Sequence, residues 1–143
     1  MNAPLIARIL GFALLLAGIA GFVPWIAPAA PFGAPVVTLD TAYRMLFWVF
    51  PVNVALDVLY LFLGFCGVVA GLRFGAAVVY LRTLVWIYLI LVILGAIPLT
   101  SVFFGVAPIY GWDVALHAVV ALFAAYGGYG RGSIAPEAKA PAK

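Results

Sequence analysis

Two stretches of the chain decide the fold: Arg8–Pro24, RILGFALLLAGIAGFVP, and Arg82–Pro98, RTLVWIYLILVILGAIP. In each, an arginine and a proline lie sixteen residues apart and frame a nearly unbroken apolar run. A glycine, Gly21 or Gly95, stands three residues before the proline in both. Proline ends a helix, and a helix that crosses a bilayer needs roughly 20 apolar residues. The two stretches therefore predict a matching pair of transmembrane helices.

A further apolar stretch follows each of these two helices, and the two further stretches begin with similar residues. Phe50-Pro51-Val52-Asn53 begins one of them, and Ala107-Pro108-Ile109-Tyr110 begins the other. The pattern predicts an all-α integral membrane protein with four transmembrane helices from two parallel two-helix repeats. The helices are predicted at about 5–23, 53–72, 78–97 and 112–129. One transmembrane domain, 1–132, would hold repeat one (about 5–74) and repeat two (about 75–131), with a polar tail at 133–143.

Composition supports a bilayer as the solvent. Hydrophobic residues make up 69% of the chain and charged residues 8%, whereas soluble domains carry roughly 25% charge. Too few charges remain to coat a surface that faces water. The seven basic residues are scattered singly, so nothing indicates a nucleic-acid partner.

The basic residues also predict an orientation. Arg44 lies alone on one side of the predicted membrane, and the other basic residues lie on the opposite side: Arg8, Arg73, Arg82, Arg131, Lys139 and Lys143. Cytoplasmic loops are enriched in Lys and Arg. We therefore expect a multi-pass protein of the bacterial inner membrane with both termini in the cytoplasm, in contact with membrane lipids.

The first outer segment is predicted to contain a short interfacial helix. Asp40 or Thr41 can cap such a helix, which would place Phe47, Trp48 and Phe50 near the bilayer surface. The competing hypothesis is a surface on which a partner protein docks.

Polar residues inside the predicted spans gather in one layer beneath the outer segments: Asn53, Asp57, Tyr60, Asp113 and His117. Polar groups within a membrane are costly and mark candidate sites. The favoured interpretation is a structural network that joins the two repeats. One alternative is a bacteriochlorophyll-type pigment or haem bound through His117, and another is proton relay or ion binding. No catalytic residues and no metal site are predicted, since zinc would need further His or Cys ligands.

Small residues predict where the helices pack, because helices in lipid approach most closely at glycine. The predicted packing positions are Gly18, Gly21, Gly64, Gly67 and Gly71.

A resemblance to a known family supports this picture. Phe50-Pro51-Val52-Asn53, with Leu61 to Gly64 after it, resembles a bacterial four-helix membrane family, domain of unknown function 4383. Pro108, Gly111, Asp113 and His117 resemble its second half, and the likeness covers about residues 5–130. The resemblance implies the fold and no particular activity.

The function expected from the sequence is that of a non-enzymatic accessory subunit. It would pack against the other subunits of a larger membrane complex. We expect that complex to be a photosynthetic or a respiratory one. The alternatives are a small transporter or channel that uses the layer of Asp57, Asp113 and His117, and a membrane protein that binds pigment or haem.

Overall fold

Four hydrophobic helices make up most of the computed structural model, which describes residues 1–134. They are α1 (Ala3–Gly21), α2 (Val54–Ala70), α3 (Phe74–Ala96) and α4 (Trp112–Gly128). The lengths and hydropathies of α1 and α3 suffice to cross a membrane, and α2 and α4 are apolar helices of 17 residues each. Of the predicted tail, 133–143, all but the first two residues lie outside the described range.

Local signals set the helix boundaries, which differ from the predicted ones by a few residues. The Asn2 side chain accepts a hydrogen bond from the backbone N–H of Leu5, so α1 begins at Ala3. At the other end, α1 stops three residues before Pro24. Helix α3 begins at Phe74, earlier than predicted.

The four helices run alternately up and down, so all the connections lie at two ends of the bundle. We call the end that carries the two long connections, residues 22–53 and 97–111, the loop end. The opposite end holds the start of α1, the end of α4 and the tight α2–α3 turn, and we call it the terminal end. Helix α1 packs chiefly on α2, and α3 chiefly on α4.

The two helix pairs make corresponding contacts at the terminal end. Arg8 corresponds to Arg82, 74 residues later, and Gly71 corresponds to Gly128, 57 residues later. In the first pair, Gly71 packs against the Arg8 side chain. In the second, Nε of Arg82 donates to the Gly128 carbonyl at 2.8 Å. The sequence repeat is therefore matched by a repeat of tertiary contacts.

The same correspondence holds at the loop end. Gly21 of α1 lies against the Asp57 side chain, and its counterpart Gly95 lies against Val114, the counterpart of Asp57. In both pairs the first helix thus has no side chain where it meets this position of the second helix. A carboxylate fills the position in one pair and a valine in the other.

Backbone-to-backbone contact joins α1 and α2. A Cβ added to Gly11 would stand 2.8 Å from the Gly64 carbonyl oxygen, and one added to Gly64 would stand 2.7 Å from the Gly11 carbonyl oxygen. Gly18, Gly67 and Gly71 are buried at the same helix contact. Gly21 lies against Asp57 of α2. All five glycines predicted to pack helices therefore lie at the α1–α2 contact, which, together with Gly11, we call the glycine seam.

The Gly64→Ala variant tests the glycine seam. Its new methyl group would meet backbone atoms, which cannot rotate away, so the free energy of unfolding should fall by about 1–3 kcal/mol. Gly75→Ala is the matched control, because Gly75 also lies in a helix but has no neighbour within 4 Å. Thermal unfolding in mild detergent makes the comparison, and equal midpoints for the two variants would contradict the argument.

The predicted interfacial helix was wrong. The structure has an antiparallel hairpin instead, with β1 (Arg44–Leu46) paired to β2 (Phe50–Val52). Phe47 and Trp48 form its turn in the left-handed region, at φ 51° and 63°, and both are exposed. Phe50 is half-buried.

Hydrogen bonds to distant residues explain why a hairpin forms. The backbone N–H groups of Met45 and Phe47 donate to the carbonyls of Pro28 and Ile26, at 2.8 and 3.0 Å. A helix would have used those N–H groups internally. Pro51 also disfavours a helical conformation at the residue before it.

Candidate functional site

Asn53 fastens both connections to the bundle. Its Nδ2 donates to the carbonyls of Leu39 at 2.8 Å and Val106 at 2.7 Å, one in each connection. Its Oδ1 accepts from the backbone N–H of Leu56 at 3.1 Å and so caps α2. The side chain is fully buried, and these three bonds use both amide hydrogens and the oxygen.

The two connections also bind each other directly. The backbone N–H groups of Thr38 and Leu39 both donate to the Gly105 carbonyl, at 2.8 and 3.0 Å. The Tyr43 hydroxyl donates to the Pro35 carbonyl at 3.1 Å, so Tyr110 supplies the proton in the 2.6 Å bond between the two phenols. Burial raises the pKa of the Tyr43 phenol, which keeps it protonated as a donor.

Asp57 occupies a separate place in the layer. Its carboxylate is buried against Gly21, and neither oxygen has a hydrogen-bond partner among residues 1–134. The Arg44 side chain on β1 acts on Asp57 electrostatically without a direct contact. Arg44 itself donates to the Ala27 carbonyl at 3.2 Å.

Tyr60 and His117 join the two repeats. The Tyr60 hydroxyl lies 2.9 Å from Nε2 of His117, and Oδ2 of Asp113 lies 3.5 Å from the same nitrogen. Tyr60 and His117 are 57 residues apart and therefore hold corresponding positions in α2 and α4. All three side chains are buried. The structure thus brings together three of the five residues of the predicted layer, while Asn53 and Asp57 have other surroundings.

Tyr88 of α3 is a member of this cluster that the sequence analysis missed. Its ring meets the His117 ring edge to face, with centroids 5.1 Å apart, and the side chain is 1% exposed. The sequence did indicate that Tyr88 and Tyr60 lie at similar distances from the loop end. Tyr88 is the ninth residue from the end of α3, and Tyr60 is the seventh from the start of α2. Helices that rise by the same ~1.5 Å per residue place such positions at similar levels.

A cavity of about 100 Å³ adjoins the cluster, and we call it the chamber. Its polar lining consists of Tyr60, Tyr88, Asp113 and His117. Its apolar lining comes from α1, the hairpin and α4: Ala13, Leu14, Ala17, Leu46, Phe50, Val52, Leu116 and Val120.

The chamber does not fit a pigment or haem on His117. A tetrapyrrole ring is much larger than 100 Å³, Nε2 already contacts Tyr60, and the His117 side chain is enclosed. Within residues 1–134, no three His, Cys, Asp or Glu side chains gather as metal ligands would. The arrangement is suited to holding hydrogen-bonded polar groups inside an apolar bundle.

Fold and site together define a small protein of four hydrophobic helices in two repeats, with an enclosed polar layer at the loop end. The chain belongs to the family described as domain of unknown function (DUF4383), whose model matches residues 5–130. This confirms the resemblance noted from the sequence. Comparison with curated proteins and with solved structures gave no match.

The Asn53→Ala variant should loosen both connections. It removes a helix cap, worth about 0.5–2 kcal/mol, and leaves the Leu39 and Val106 carbonyls without their donor. Asn2→Ala is the control, since Asn2 caps α1 without further bonds of its side chain. Limited proteolysis of residues 22–53, with thermal unfolding, compares the two. Cleavage that is no faster in N53A than in N2A would contradict the role of Asn53.

The Tyr60→Phe variant tests the junction of the repeats. It removes the 2.9 Å bond to His117 and should lower the free energy of unfolding by about 1–3 kcal/mol, because a buried nitrogen loses its partner. Tyr126→Phe, at an exposed position of α4, should be neutral. Unfolding midpoints in detergent check this, and a stable Y60F would show that the bond contributes little.

Proposed function

We propose that the chain is a four-span protein of the bacterial inner membrane and a non-enzymatic accessory subunit of a larger membrane complex. Large apolar side chains on the outward faces of all four helices support the membrane location. Examples are Leu16, Phe62, Trp86 and Leu122, each between 62% and 70% exposed. Monomeric soluble proteins rarely expose such continuous apolar surface, whereas acyl chains cover it readily. Helices α2 and α4, at ~26 Å, reach the lower limit for crossing hydrocarbon.

Charge placement supports cytoplasmic termini. Arg8, Arg73, Arg82 and Arg131 all lie toward the terminal end, where the chain begins and α4 ends. The positive-inside rule assigns that end to the cytoplasm. The loop end, with the hairpin, then faces the outside.

The observation that carries the subunit role is the exposed segment Pro31–Val36. Phe32 is fully exposed and Val36 is 89% exposed. Yet the segment is held in place, because the Tyr43 hydroxyl binds the Pro35 carbonyl and the Ala34 N–H donates to the Pro31 carbonyl. An ordered apolar segment that extends from the end of the bundle is typical of a protein contact, where aromatic residues are enriched.

The glycine seam favours a subunit over a transporter. A transporter must open its polar layer to each side in turn, which here would require a path through the terminal half of the bundle. In that half, Gly11 meets Gly64 and Gly67 backbone to backbone. The Tyr80 hydroxyl is also bound there, to the Leu63 carbonyl at 3.0 Å.

An enzymatic role has little support from the site. The single histidine of the chain is buried and bound to Tyr60, and its neighbours in the chamber are enclosed with it. Catalysis needs such groups within reach of a substrate. We therefore assign the polar layer to the architecture of the subunit.

Photo-crosslinking in native membranes tests the subunit role. A photoreactive phenylalanine analogue at Phe32 should give one discrete protein adduct, whereas the same analogue at Phe62, on the exposed face of α2, should give none. The adduct should contain the protein that co-purifies at constant ratio in mild detergent without crosslinking. Phe32→Asp should abolish that co-purification while leaving the unfolding midpoint unchanged.

The identity of the partner then decides between a photosynthetic, a respiratory and another host. Adducts that contain only a second copy of the chain, or equal yields from positions 32 and 62, would contradict the proposal.

A further inference from the structure

The chamber combines a small volume with polar atoms that lack protein partners. The Tyr88 hydroxyl, both carboxylate oxygens of Asp113 and Nδ1 of His117 have no hydrogen-bond partner within residues 1–134. The three residues are at most 1% exposed, and all of them line the chamber. Buried polar groups are normally paired, and each unpaired one needs an explanation.

Among residues 1–134, Asp113 is the only acidic residue that lines the chamber. A bare carboxylate in apolar surroundings is strongly unfavourable unless a positive charge accompanies it. Asp113 lies in the first turn of α4, whose positive dipole end offsets part of that cost. The Asp113 to His117 distance of 3.5 Å leaves both carboxylate oxygens free to bind something else.

We propose that the chamber binds one small monovalent cation, either an alkali-metal ion or a proton taken up by Asp113 and shared with His117. The Asp113 carboxylate supplies the negative charge, and the Tyr60 and Tyr88 hydroxyls and the imidazole of His117 complete the set of polar contacts.

Charge and size define this class of ligand. A divalent cation beside a single carboxylate would leave a net positive charge. That charge would be unfavourable in surroundings of low dielectric constant. About 100 Å³ holds an ion with one or two waters, since each water takes roughly 30 Å³ of liquid volume. Organic cations with more than a few heavy atoms are too large.

The titratable groups that face the chamber come from three helices: Tyr60 from α2, Tyr88 from α3, and Asp113 and His117 from α4. Helix α1 and the hairpin contribute only apolar side chains to the chamber wall. Asp57 and Arg44 lie outside that wall. Asp57 therefore provides a matched control, as a second fully buried carboxylate close to the chamber but not in it.

Two measurements on the full-length protein in mild detergent test the proposal. The first is thermal unfolding in LiCl, NaCl or KCl against choline chloride at constant ionic strength. For an alkali-metal ion, the midpoint should rise with the concentration of one salt, as binding linkage requires. The effect should vanish in Asp113→Asn and persist in Asp57→Asn.

The second measurement is infrared absorption, and it tests for the proton. A proton on Asp113 gives a protonated-carboxyl band that D113N lacks and D57N keeps. Tyr88→Phe covers the case in which D113N does not fold. It should weaken the alkali-ion effect about tenfold in concentration, or shift the carboxyl band.

Either an alkali-ion effect or the carboxyl band, each dependent on Asp113, supports a bound cation and identifies which one it is. A wild-type protein with neither signal, or with signals unchanged in D113N, would overturn the proposal. This outcome is independent of the subunit role, which rests on Phe32 at the surface.

Discussion

The backbone contact of α1 with α2 at Gly11 and Gly64 is the constraint on which the rest of the structure depends. Helices in lipid gain little from excluding water, so they associate where small residues permit close packing. The corresponding positions in the second pair hold Val85 and Ala121, which add side chains to that contact. The duplicated unit is thus tightest in its first copy. That copy places Gly21 against Asp57 and closes the terminal half of the bundle.

Toward the loop end of the bundle, the sequence repeat accounts for the arrangement of the polar layer. Tyr60 and His117 hold corresponding positions and meet where the two copies face each other. The carboxylates break the symmetry, because Asp57 corresponds to Val114 and Asp113 corresponds to Leu56. Asp57 therefore lies against Gly21 of α1, and Asp113 lines the chamber. Buried polar networks favour one arrangement when every member is satisfied, and at the chamber the proposed cation would complete the set.

The two connections form a third level of organisation at the loop end. Asn53 binds both, and Gly105 and Tyr110 in the second connection bind the first. Backbone hydrogen bonds between residues far apart in the chain hold the hairpin, and they leave Phe32 exposed on a fixed segment. The proposed partner contact therefore depends on Tyr43, which bonds both Pro35 in the exposed segment and Tyr110 in the second connection.

The sequence by itself determined four hydrophobic helices in two repeats, because proline, glycine and the length of an apolar run act within one helix or its neighbour. The sequence analysis also named five of the six glycines that the seam buries, all but Gly11. It did not identify Tyr88 as a partner of His117, and it took the segment around Trp48 for a helix. Only the tertiary structure decided these points. The rotation of a helix about its axis selects which side chains meet, and carbonyls near residue 28, well outside the segment, satisfy the hairpin N–H groups.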